Sequence, residues 1–169
     1  MVLTTHSITG AAFAGLLATD PALAFTVALA SHYLFDAIPH WDYKLLSVSE
    51  EDDKLDFKIG SASFTFDISR IAFDLLLGLV VSYYLFVSLA GFSWLIILAG
   101  VIGGVLPDFL QFLNSKVKNR PLAWSQKFHD FFHAEKRPYR QAQLRGILWQ
   151  LGIIVVVVGL TFTSLAWLK

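Results

Sequence analysis

Residues 31–42 read SHYLFDAIPHWD and place His32, Asp36, His40 and Asp42 at the end of an otherwise apolar stretch. His32 and Asp36 are four apart, so on a helix their side chains lie one above the other on a single face, as two ligands of one metal ion would. Lipid is a poor alternative environment for either group, because an ionisable side chain inside a bilayer costs roughly 2.5–3.5 kcal/mol. Pro39 ends the helix, so His40 and Asp42 fall in the connection beyond it and also read as ordinary loop residues.

The rest of the chain sets the environment of this stretch. Its 169 residues are 56% hydrophobic and 15% charged, outside the usual range for a soluble domain of this size, and read as one integral-membrane domain. Formal net charge is zero, and no nucleic-acid partner is expected. Without cysteine there are no disulfides and no thiolate metal sites, so any metal must be held by histidine and carboxylate.

The expected fold is all-α, a polytopic membrane bundle of about five hydrophobic helices plus one interfacial amphipathic helix. The first helix spans 4–18, short for a bilayer and rich in small residues. Thr19, Asp20 and Pro21 make a turn with an N-cap and a proline at the first helical position, starting a second helix over 21–38. A polar connection with the acidic run Glu50–Asp53 follows, and Asp67 reads as the cap of a third helix over 68–89. The fourth, 93–113, carries Gly100 and Gly104 as a close-packing face and Pro107 near its end. The segment 121–134 puts Trp124, Phe128, Phe131 and Phe132 on one arc, an interfacial helix with His129 and His133 on its flank. A last span covers 141–168.

The segments 39–70 and 114–145 hold twelve of the thirteen Lys and Arg, so the positive-inside rule puts both in the cytoplasm, with the N-terminus inside and the C-terminus outside an inner or plasma membrane. That topology brings His6, His32, Asp36, Asp74, Asp108, His129 and His133 to one layer near the cytoplasmic surface. A divalent ion would compensate them. Imidazole and carboxylate without thiolate suit zinc best, with manganese or iron as alternatives, held by His6, His32, Asp36, Asp108, His129 and His133. Asp42 or Asp74 would then serve as base or orient a ligand imidazole. Bland readings stand beside these: Arg70 lies one turn before Asp74 and can pair with it, and Asp130 can be simply solvated.

The motifs THSITG (5–10), SHYLFDAIPHWD and GGVLPDFLQF (103–112) resemble elements of a family of small integral-membrane proteins known as membrane-bound metal-dependent hydrolases, an inner-membrane group with LexA-regulated members. The resemblance covers the first, second and fourth helices. It implies a multi-helix membrane protein with a metal centre carried by His6, His32, Asp36 and Asp108. The chain departs from the family pattern after Asp108, where Phe109, Leu110 and Gln111 stand. In arrangement alone it is similar to alkaline ceramidases and adiponectin-type receptors, which hold zinc with His and Asp at the cytoplasmic end of their helices. The expectation is a hydrolase acting on a lipid or lipid-linked ester, amide or phosphoester, with membrane lipids as partners. A metal-ion or proton-coupled carrier and a metal-stabilised scaffold are the rival readings.

Overall fold

The computed structural model describes residues 1–48, 58–117, 119–133 and 143–167, and its regular structure is entirely helical. The helices are α1 (Leu3–Leu17), α2 (Pro21–Asp36), α3 (Ala62–Ser82, continued by π-helical turns over Tyr83–Leu89), α4 (Trp94–Lys116), α5 (Arg120–Phe132) and α6 (Gln143–Trp167). Three of them are long and apolar enough to cross a membrane: α3 with its continuation, α4 and α6. The other two of the five hydrophobic helices expected, α1 and α2, have 15 and 16 residues. At 1.5 Å per residue α1 is about 22 Å long, less than a hydrocarbon core of about 30 Å.

What α1 lacks in length it makes up in enclosure. Nine of its residues, from Thr5 to Ala14, are buried, and it packs against α2, α3, α4 and α6. Small residues permit this. A Cβ on Gly104 would lie 2.5 Å from the His6 carbonyl oxygen, and one on Gly103 would lie 2.4 Å from that of Phe25, so α4 touches α1 and α2 backbone to backbone. The expected close-packing face is therefore present, with Gly103 adding a second contact beside it. The outer faces of α3 and α6 show the opposite pattern, exposing Phe73, Leu76, Val80, Leu148, Val155 and Leu160 as a lipid-facing surface would.

The start of α3 differs from the sequence reading. Ser61, rather than Asp67, caps α3: its hydroxyl accepts from the Phe64 amide at 3.1 Å, so the helix begins six residues earlier than expected. Asp67 is instead buried one turn in, accepting from the amide and hydroxyl of Ser47, both at 2.7 Å, and so ties the 37–48 connection to α3. The turn before α2 forms as read, with Asp20 Oδ1 accepting from Ala22 and Leu23 at 2.9 and 3.0 Å. Within α4, Pro107 is tolerated and the helix runs on to Lys116. The acidic run Glu50–Asp53 lies outside the described residues.

Candidate metal centre

The enclosure of α1 and the glycine contacts of α4 bring four helices and one loop to a single carboxylate. Asp36 ends α2 and is fully buried. All five histidines of the chain turn Nε2 toward it. Oδ1 lies 3.0 Å from His6 and 3.8 Å from His40, while Oδ2 lies 3.1 Å from His32, 3.1 Å from His129 and 3.8 Å from His133. The His6 and His32 rings stack with centroids 4.0 Å apart. Asp108 of α4 adds an oxygen 3.7 Å from His129 Nε2, and Asp42 of the loop adds one 3.3 Å from His40 Nε2.

Two of the imidazoles have their tautomer set by the backbone. His32 Nδ1 is 2.7 Å from the Gly104 carbonyl oxygen, and His40 Nδ1 is 2.7 Å from that of Ile38. A carbonyl only accepts, so each Nδ1 carries a proton, and in the neutral form each ring presents a bare Nε2 lone pair. Both of these Nε2 atoms are buried without a hydrogen bond among the described residues, as are both ring nitrogens of His6 and Asp108 Oδ2. Lone pairs facing a carboxylate in a buried site repel unless positive charge lies between them. The His32–carbonyl bond is the type of outer contact that orients metal-ligating histidine. The donor atoms of His32, Asp36, Asp108 and His129 all lie within 4.8 Å of one another, and this group can hold a metal ion.

Positive charge is already drawn to the cluster. The Met1 ammonium sits 3.0 Å from Asp36 Oδ1 and 3.2 Å from Asp42 Oδ1. Burial opposes its charge, but Asp42, Asp36 and Asp108 outweigh that and push its pKa up to about 10. Burial would likewise raise the Asp42 carboxyl, yet the ammonium, His40 and His133 hold it below the usual carboxylate range.

A frame of polar contacts positions the centre. Gln150 of α6 is buried; it donates to the Trp41 carbonyl at 2.7 Å and accepts from the Val2 amide at 3.1 Å and the Thr5 hydroxyl at 3.2 Å. It thereby joins the loop bearing His40 and Asp42 to the helix bearing His6. On the other side α5 is clamped by aromatic rings, with Tyr33 packing against Phe128 and Phe132 at centroid distances of 4.9 and 5.6 Å. Trp124 and Phe131 remain exposed while His129 is buried.

The structure thus gathers His6, His32, Asp36, Asp108, His129 and His133, with Asp42 at their edge. Asp74 is engaged elsewhere. Its carboxylate accepts from the Leu3 amide at 2.7 Å, the Thr4 amide at 3.2 Å and the Thr4 hydroxyl at 2.6 Å, capping α1 from α3. Arg70 donates to the Lys44 carbonyl at 3.2 Å and lies over the Tyr43 ring. His40, taken from sequence as a residue that reads equally as loop, is drawn into the cluster; its spacing of four from Asp36, mirroring that of His32, was the available signal. Gln150 carried a signal too, as an amide two turns into an apolar helix.

A cavity of about 610 Å³ opens beside the centre, between α3, α4 and the 40–48 loop. Its polar end is formed by His40, Asp42, Asp108 and His133, and its walls by apolar residues such as Ile71 and Leu75 of α3 and Val105 and Phe109 of α4. No family model, curated protein or solved structure matches the chain.

Proposed function

We propose that the protein is a membrane-embedded metal-dependent hydrolase, with a zinc centre at the cytoplasmic membrane face, acting on a lipid or lipid-linked ester, amide or phosphoester. The observation that carries this reading is the bare, buried Nε2 of His32, fixed by the Gly104 carbonyl and facing Asp36 among further imidazoles. His32, Asp36, Asp108 and His129 would hold the ion, a nitrogen and oxygen donor set that suits zinc. When bound, such an ion polarises an ester or phosphoryl oxygen and lowers the pKa of water toward about 7.

The chain's own residues supply the rest. Asp42 is held ionised at the polar end of the cavity, placed to accept a hydrogen bond from an attacking water and to orient it. The apolar walls of α3 and α4 exclude bulk water and offer an acyl or isoprenoid chain the surface it prefers. Lys116 at the end of α4 and Arg120 and Lys127 of α5 favour an anionic headgroup layer, in keeping with a cytoplasmic orientation. A cavity of this size next to the ligands favours turnover over a closed structural metal site.

The test is metal content by elemental analysis of detergent-purified protein, followed by hydrolysis of lipids extracted from the host membrane. Wild type is expected to carry zinc and to release a water-soluble or fatty product. Asp36→Asn should lose both while keeping its helical circular dichroism. Wild type free of metal after reconstitution would sink the reading.

A further inference from the structure

The histidine and carboxylate donors at this centre outnumber what one ion uses. A catalytic zinc takes three protein ligands and a structural one four, whereas five imidazoles and three carboxylates, Asp36, Asp42 and Asp108, meet here. They also divide. The donor atoms of Asp36, His40 and His133 form a second group lying within 4.8 Å of one another, and Asp36 is common to both groups.

Resting on the metal-centre reading above, we propose that the site holds two divalent transition-metal ions sharing the Asp36 carboxylate, and that the ion held by His40 and His133 is the one that faces substrate. Three independent features carry this. His40 has its Nδ1 proton committed to the Ile38 carbonyl at 2.7 Å, and its Nε2 is buried with no hydrogen bond among the described residues. It is therefore prepared as a ligand in the same manner as His32, which belongs to the other group. His129 and His133 sit one turn apart at the end of α5 with ring centroids 5.3 Å apart, so one helix sends one imidazole to each group. Finally, His40 and His133 line the cavity together with Asp42, while His6, His32 and His129 are fully buried and take no part in its lining.

The division assigns different exposures to the two ions. The inner one, among His32, Asp36, Asp108 and His129, is enclosed and should exchange slowly. The outer one borders the cavity and should leave first. Asp36 offers two oxygens, Oδ1 beside His40 of the outer group and Oδ2 beside His32 and His129 of the inner group and His133 of the outer, and such a carboxylate is suited to bridging, as in two-metal hydrolytic sites.

The experiment uses the full chain in mild detergent, stripped with a chelator and titrated with Co²⁺ while absorption and electron paramagnetic resonance are followed. Two equivalents should bind, the second weakening the resonance of the first through coupling across Asp36. His40→Ala and His133→Ala should each bind a single equivalent with an uncoupled signal and an unchanged helical spectrum. Because either variant can misfold, a second measurement is made on wild type alone: chelator should remove bound metal in two kinetic phases of equal amplitude. One equivalent and one phase in wild type would overturn the two-ion proposal and leave a single-metal hydrolase standing. No bound Co²⁺ would overturn the metal centre itself.

Discussion

His32 of α2 donates its Nδ1 proton to the backbone carbonyl of Gly104 in α4 across 2.7 Å, and the same residue, having no side chain, lets the His6 backbone of α1 pack directly against it. Helix packing and ligand orientation are one feature here. Gly104→Ala would place a Cβ 2.5 Å from the His6 carbonyl oxygen, backbone that cannot swing aside. α1 and α4 must part, which moves His6 relative to the Gly104 carbonyl that holds His32. We expect metal affinity to fall about 10–100-fold and stability by about 1–3 kcal/mol, read by competition with a chromophoric chelator and by thermal melting in detergent. An alanine variant with wild-type affinity would show that the carbonyl does not orient His32.

Asp74 gives the contrasting case. Its three hydrogen bonds go to the start of α1, and its substitution should act on folding. Asp74→Ala is expected to lose about 1–2 kcal/mol, as for a lost helix cap, with metal stoichiometry unchanged. If activity vanished while stability and metal content held, Asp74 would be chemical machinery and not a cap.

Gln150 links the loop of His40 to the helix of His6, and Gln150→Leu leaves the Trp41 carbonyl, the Val2 amide and the Thr5 hydroxyl without that partner. A loss of about 1–3 kcal/mol is expected, measured by denaturing-detergent titration of mixed micelles. Metal should also leave the variant faster in a chelator chase, because the loop bearing His40 and Asp42 is less constrained. A leucine variant with unaltered unfolding and release would refute the linking role.

Acid should release the metal. Imidazole binds a metal only when neutral, and with an ordinary pKa of about 6.5 protons compete increasingly below that value. Affinity is therefore full at higher pH and is lost as pH falls, steeply because several imidazoles must protonate. Metal retained on desalting between about pH 8 and pH 5 reports this. A flat profile over that window would mean that carboxylates alone hold the ion.

Much of this is legible in the amino-acid sequence alone. The i, i+4 spacing of His32 and Asp36, the small-residue face of α4 and the aromatic arc of α5 each depend on local geometry, which sequence periodicity encodes. Helix-capping at 61 against 67 was not, because Ser61 and Asp67 are both good caps and the choice was made by Ser47, twenty residues away from Asp67. His40 is less legible for a related reason: α2 ends at Asp36, and it takes the Ile38 carbonyl and the loop's attachment through Trp41 to Gln150 to return the imidazole to the cluster. Long-range polar contacts carry no period, so Asp74 could be placed at the right depth but not matched to its partner in α1.

The chain has no histidine away from Asp36. Every imidazole resonance in a nitrogen-15 spectrum of the protein therefore comes from this one centre, as does every adduct formed by a histidine-selective reagent. Protonation, metallation and substrate entry can each be followed without assignment against a background. For the same reason a polyhistidine purification tag would both compete for the ion and obscure its signals, and a tag of different chemistry is the one to use.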